Sequence, residues 1–172
     1  KSYDDKGMVR EKALEVILKN LDVNAVLVAT TGKTSREIFE IREKKNQSHH
    51  QDFLTVGSMG HCSSIALGIA LAKPHREVVC IDGDGAMLMH LGSLTSIASL
   101  RPKNFRHVLM NNGVHESVGG QDTAAKDIDL SAIVEAVGAS KIFKAETLTD
   151  LIIQFPDFIT CVGPSFLEVK IR

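Results

Sequence analysis

Continuous apolar runs alternate along this chain with stretches in which apolar residues recur every three or four positions. The first pattern predicts buried strands and the second predicts helices. Strands are expected at VNAVLVAT (23–30), DFLTVG (52–57), REVVCID (76–82), FRHVLMNN (105–112), KIFKAE (141–146) and FLEVKIR (166–172). Helices are expected at 10–21, at 34–45 with Thr34 or Ser35 as cap, and at 61–73, buried on most sides and closed by Pro74. Three more are expected at 86–100, ended by Arg101-Pro102, at 129–139 with a glycine near its C-terminus, and at 147–158 with Thr147 as cap.

About six mainly apolar strands separated by helices belong to a parallel sheet covered on both faces. The expected architecture is a single α/β domain over 1–172, a three-layer α/β/α sandwich. Ligands of such sheets bind at the C-terminal ends of the strands. That singles out the loops at 30–35, 57–61, 82–86 and 111–122, which are also the polar or glycine-rich patches.

Composition narrows the function classes. A net charge of −1 provides no broad basic face for nucleic acid. No apolar run approaches the roughly 18 residues that cross a bilayer. Cys62, Cys80 and Cys161 form no C-x-x-C pair, which fits buried thiols in a reducing cytoplasm.

The loop Asp82-Gly83-Asp84-Gly85-Ala86 carries the first chemistry. Its glycines permit a tight turn and close backbone approach. The helix expected after it turns free N–H groups toward the loop and favours an anion such as phosphate. A carboxylate and a phosphate share one loop only if a cation joins them, and magnesium does so through carboxylate and phosphate oxygens. The plainer reading makes Asp84 an N-cap. The dinucleotide fingerprint, the Walker loop, the EF-hand and the G-x-S-x-G elbow are all absent. The stretch MNNGVHESVGGQDT (110–123) follows the next strand, so it starts beside loop 82–86. Asn111 and Asn112 offer neutral oxygen ligands there, although Asn-Asn-Gly alone reads as an ordinary turn.

Gly83-Asp84-Gly85, a gap of twenty-five residues (86 to 110) and Asn111-Asn112 resemble the GDG…NN signature of thiamine-diphosphate-dependent 2-oxoacid decarboxylases. From about Val23 to Arg172 the chain resembles their diphosphate-binding (PP) domain. The resemblance implies Mg²⁺ on Asp84, Asn112 and the main-chain carbonyl of Val114, with Asn111 as fallback. The cofactor-binding set it implies is Gly32, Thr34, Ser35, Gly57, Ser58, Met59, Gly83, Asp84, Gly85, Ala86, Asn112, Val114 and His115. In VGSMGH (56–61), Met59 would prop the cofactor into its bent shape and the Gly57 carbonyl would accept from its amino group. In TTGKTS (30–35), Thr34 and Ser35 would meet the diphosphate. Asp82, one step inside the strand end, is expected to brace the loop.

Within that family, NNGVHESVGGQDT resembles the phosphonopyruvate decarboxylases and, more loosely, the β subunits of sulfopyruvate decarboxylases. Either substrate is a small 2-oxoacid with a tetrahedral anion at C3, which needs cations and N–H or O–H donors. Lys33, Arg36, His61, His115, Ser117 and Gln121 are the candidates, with His61, Ser117 and Gln121 foremost. His115 and Glu116 are candidate proton donors. His49, His50, His75, His90 and His107 show no ligand spacing. The glutamate that activates the cofactor in this family lies on a second (PYR) domain, which has no room in these residues. It is expected elsewhere in a longer chain or on a separate subunit, within a homo-oligomer. The competing class is a non-catalytic Rossmann-like nucleotide-binding or assembly module, in which Asp84 and the glycines only build turns.

Overall fold

The computed structural model describes residues 7–138 and 141–172. Six parallel strands form one sheet in the order β2-β1-β3-β4-β8-β7. They are β1 (Val26–Ala29), β2 (Asp52–Leu54), β3 (Val78–Gly83), β4 (Phe105–Asn111), β7 (Lys141–Ala145) and β8 (Ser165–Lys170). A separate antiparallel hairpin, β5 (Val114–His115) with β6 (Gln121–Asp122), follows β4. The helices are α1 (Arg10–Lys19), α2 (Lys33–Lys44), α3 (Cys62–Ala72), α4 (Asp84–Met89), α5 (Ser93–Leu100), α6 (Leu130–Ala136) and α7 (Leu148–Thr160).

Period-two alternation along the strands divides the core between the two faces. Leu27, Ala29, Val79, Ile81, Val108 and Met110 pack with α1, α2 and α7 through Leu14, Ile17, Ile38, Leu151 and Phe155. Val28, Val78, Cys80, Phe105 and Leu109 face α3, α5 and α6 through Ala66, Leu94, Ile97 and Val134. Helices on both faces of a parallel sheet make the expected three-layer sandwich.

The chain runs outward from β1 to β2, then returns across β1 to β3. That reversal makes the C-terminal ends of β1 and β3 the switch point, where the outgoing loops diverge and leave a crevice. The β1–α2, β3–α4 and β4–β5 connections all open there.

Four local expectations need correction. The predicted helix 86–100 is two helices, α4 and α5, separated at His90-Leu91-Gly92. Gly92 is a poor helix residue and serves as the N-cap of α5. Neither Thr34 nor Ser35 caps α2. Gly32 is its N-cap at φ 98°, and Ser35 turns inward to donate to the Thr30 carbonyl at 2.7 Å. The strand expected at 52–57 stops at Leu54, and Val56 is almost fully exposed. Helix α3 buries one face only, leaving Ser64, Gly68 and Leu71 outside. Thr147 does cap α7, in a reciprocal box with Asp150.

Candidate functional site

The switch-point crevice is a cleft of about 100 Å³. Its floor is the β3–α4 junction: Gly83, Asp84, Gly85 and Ala86. Thr30, Thr31, Lys33 and Thr34 line one side, and Asn112, Val114, His115, Glu116 and Ser117 line the other. Arg10, Met59, Met110, Val118 and Ile171 complete it.

Asp84 is the first residue of α4 and only 3% exposed. Its Oδ2 accepts a 2.5 Å hydrogen bond from Thr123 Oγ1. Among the described residues no lysine, arginine or histidine pairs with it. A buried carboxylate without a cation is costly, and a divalent metal in the cleft would supply the missing charge. Nearby, the buried hydroxyl of Thr30 has no hydrogen-bond partner although it lines the same cleft. Thr30, Asp84 and the adjacent glycines therefore fit a metal and a polyanion entering together. Gly85 leaves room for His115: a Cβ there would come 2.6 Å from the ring in its present position. The imidazole thus lies directly against the floor.

The two asparagines divide their work. Asn111 is buried, donates to Glu168 Oε1 at 2.7 Å and accepts from the Gly113 N–H at 3.1 Å. Its amide is committed to holding the strand end. Asn112 lines the cleft instead, its Oδ1 accepting from the Val114 N–H at 3.2 Å. Of the two, only Asn112 lines the cleft. The Gly113 carbonyl accepts from Thr123 N–H at 2.8 Å, so Thr123 holds both Asp84 and the asparagine loop.

Glu116, expected as a proton donor, is paired with two cations. Oε2 accepts from Arg10 Nη1 and Oε1 from Lys33 Nζ, each at 2.5 Å. Partial burial pushes its carboxyl up, but the hydrogen bonds and charges of Lys33 and Arg10 outweigh this and hold it below the ordinary glutamate range. Paired in this way, its carboxyl favours the ionised form.

Several expected residues lie outside the cleft lining. His61 is exposed and packs on His90, ring centroids 4.2 Å apart. Gln121 is exposed in β6, opposite His115. Gly57 and Ser58 are exposed, and of that loop only half-buried Met59 reaches the cleft. Gly32, Ser35 and Arg36 border a neighbouring groove between α2 and the β2 end. Ser117 does line the cleft.

The support beneath the floor is ordered. Asp82, fully buried, accepts from the Gly83 N–H through Oδ1 at 2.9 Å, and its Oδ2 faces His107 Nε2 at 3.6 Å. Cys62 and Cys80, distant in sequence, meet beside it with sulfurs 3.3 Å apart. Burial pushes both thiols up, so they are neutral filler. Arg10, Thr30, Thr123 and Glu168 are the contributors that sequence reasoning missed. Glu168 was the most discoverable, being the carboxylate among the apolar positions of a predicted strand.

Residues 30–169 match the family model for the thiamine pyrophosphate enzyme C-terminal TPP binding domain. A phosphonopyruvate decarboxylase of Streptomyces hygroscopicus is 39% identical over 98% of this chain and 40% of its own length. The sulfopyruvate decarboxylase subunit beta of Methanothermobacter thermautotrophicus is 36% identical over 95% of this chain and 82% of its own length. The chain thus spans about two fifths of the phosphonopyruvate decarboxylases it matches. In fold it is similar to an X-ray structure from Mycobacterium smegmatis described as a thiamin diphosphate-dependent enzyme, with a TM-score of 0.79 at 22% identity. That alignment covers 97% of this chain and 33% of the other. The match over 30–169, on a fold whose cleft fits a metal and a polyanion, places the chain in the thiamine pyrophosphate enzyme family as its C-terminal TPP binding domain.

Proposed function

We propose that this domain binds Mg²⁺ and the diphosphate of thiamine diphosphate in a decarboxylase acting on 3-phosphonopyruvate, with phosphonoacetaldehyde and carbon dioxide as products. The observation that carries the reading is Asp84, a buried carboxylate in the cleft without a cationic partner among the described residues. Asp84, the Asn112 side-chain oxygen and the Val114 carbonyl would hold the metal, which prefers hard oxygen ligands. Met59 stands at the wall where it would shape the cofactor. When bound, the cofactor acts as the electron sink for loss of carbon dioxide. His115, against Gly85, is placed to hold or deliver a proton. The choice of phosphonate is supported by the similarity to the Streptomyces enzyme.

A sulfopyruvate decarboxylase β subunit is the second reading, favoured by the 82% coverage of the archaeal subunit. Either way a PYR domain completes the site, on the same longer chain or on a partner subunit, and the assembly is a homo-oligomer or built from such pairs. Three unpaired thiols fit a reducing cytoplasm.

The test is carbon dioxide release by the intact protein with Mg²⁺ and thiamine diphosphate, comparing 3-phosphonopyruvate with sulfopyruvate. A higher kcat/KM for the phosphonate is expected, and the reverse preference selects the second reading. If Asp84→Ala and Asn112→Ala leave cofactor binding unchanged, the domain is a non-catalytic nucleotide-binding or assembly module instead.

A further inference from the structure

The mouth of the cleft holds a charge arrangement that the metal site does not use. Arg10, in the first turn of α1, and Lys33, at the start of α2, converge there from two separate helices. Glu37 takes Nε and Nη2 of Arg10 at 2.9 and 2.7 Å, which leaves Nη1 directed to Glu116. Lys33 donates to the other oxygen of Glu116, and the Asn112 amide approaches at 3.4 Å. One carboxylate of the chain therefore satisfies two cations at once. Glu116 begins a short 3-10 turn, Glu116–Val118, which runs into Gly119 and Gly120 at φ 128° and 75°. Arg10 is nearly buried at 11% side-chain exposure, so it is fixed in place, while Glu116 at 35% is the wet partner.

Arg10 is already matched by Glu37, so the four groups balance. Withdrawing Glu116 leaves a net charge of +1, to which a phosphate-type group brings up to two negative charges and three acceptor oxygens. Partly exposed ion pairs of this kind contribute little, so Glu116 is displaceable by a better anion. We propose that Arg10 and Lys33 form a clamp for a phosphate-type dianion entering the cleft, and that Glu116 is the internal anion which that group displaces. The inference rests on the reading of the cleft as a site for thiamine diphosphate and an anionic 2-oxoacid. The dianion then has two sources, the terminal phosphate of the cofactor or the phosphonate of the substrate.

The experiment uses the intact protein and three variants, Glu116→Gln, Arg10→Gln and Lys33→Gln, with melting temperatures as the folding control. Calorimetry gives the Kd for thiamine diphosphate with Mg²⁺ and, separately, for inorganic pyrophosphate with Mg²⁺. Steady-state kinetics give KM for 3-phosphonopyruvate. Glu116→Gln is expected to tighten the dianion by about 3- to 10-fold, because a competing charge is removed. Arg10→Gln and Lys33→Gln should each weaken it roughly 10-fold, the scale of one charge-assisted hydrogen bond. A tighter cofactor Kd in Glu116→Gln assigns the clamp to the diphosphate. A lower KM with unchanged cofactor Kd assigns it to the substrate. Pyrophosphate, cofactor and substrate all unchanged or weakened in Glu116→Gln would overturn the clamp. Failure of the wild-type protein to turn over 3-phosphonopyruvate overturns the substrate reading instead, and the pyrophosphate titration still decides the clamp.

Discussion

The floor and the mouth of the cleft each present one carboxylate, under opposite conditions. Asp84 on the floor is buried, sits at a rigid strand-to-helix junction and meets one neutral hydroxyl. Glu116 at the mouth is partly exposed, sits in a loop and meets two cations. An acidic residue that is already neutralised near the surface says little about a ligand, since such pairs are common and weak. One that is buried and uncompensated implies something else to complete it, because an unpaired charge in the interior costs several kcal/mol. The floor therefore carries the proposed cation site, while at the mouth an incoming anion would have to displace the chain's own carboxylate.

Removing the floor carboxylate should give the largest effect. Asp84→Ala in the intact protein is expected to weaken Mg²⁺-dependent thiamine diphosphate binding by more than ~100-fold, beyond what loss of a supporting residue produces. Calorimetry checks this, and a loss under tenfold would mean that Asp84 is only a helix-start residue. Thr123→Val comes next. It keeps the shape but deletes the hydroxyl that orients Asp84, so roughly 10- to 100-fold in metal affinity is expected. Thr123→Ser should restore most of it, and a Val variant that binds like wild type would make the contact incidental.

Gly85→Ala tests how closely the two sides of the cleft approach. The added methyl would overlap the His115 ring and force it off the floor. About 1–3 kcal/mol of stability is at stake by the usual cost of overpacking, read as a lower melting temperature. Pairing it with His115→Ala should recover that stability, because the overlap disappears with the ring. No recovery would locate the strain in the backbone instead.

The layers of this fold were legible because parallel strands buried on both faces show continuous apolar runs. The break at His90-Leu91-Gly92 was not, because Leu88, Leu91, Leu94 and Ala98 keep helical spacing straight through it. The hairpin of β5 and β6 escaped for a different reason: two-residue strands have no periodicity to read. At the site, Asp84, Asn112, Val114 and His115 were visible because two short motifs place them at the ends of adjacent strands. Thr123 and Arg10 were not, since each meets its partner only in the folded chain. Thr123 lies 39 residues from Asp84 and Arg10 lies 106 from Glu116. An arginine in the first turn of an amphipathic helix ordinarily signals a solvated face. Glu116 was visible, but its pairing was not, because that depends on the same distant cations.

Glu168 is a third carboxylate that sharpens the contrast, and its effect should be the smallest. It is buried like Asp84 but compensated like Glu116, receiving Lys170 and Asn111 at 2.7 Å each and the Ser131 hydroxyl. Burial pushes its carboxyl up, and the three donors outweigh that and hold it below the ordinary glutamate range. A carboxyl whose pKa is lower folded than unfolded adds stability that is fully present above the unfolded value. That contribution is lost as pH falls through the depressed folded value. Thermal melts of wild type from pH 7 to pH 3 should therefore fall more steeply than those of Glu168→Gln below the ordinary glutamate pKa. Parallel curves would mean that Glu168 carries no net charge-linked stability. Because Asn111 depends on Glu168 for its orientation, the same variant should disturb Asn112 only indirectly. A few-fold loss of cofactor affinity is the scale expected of it, well under that of Thr123→Val.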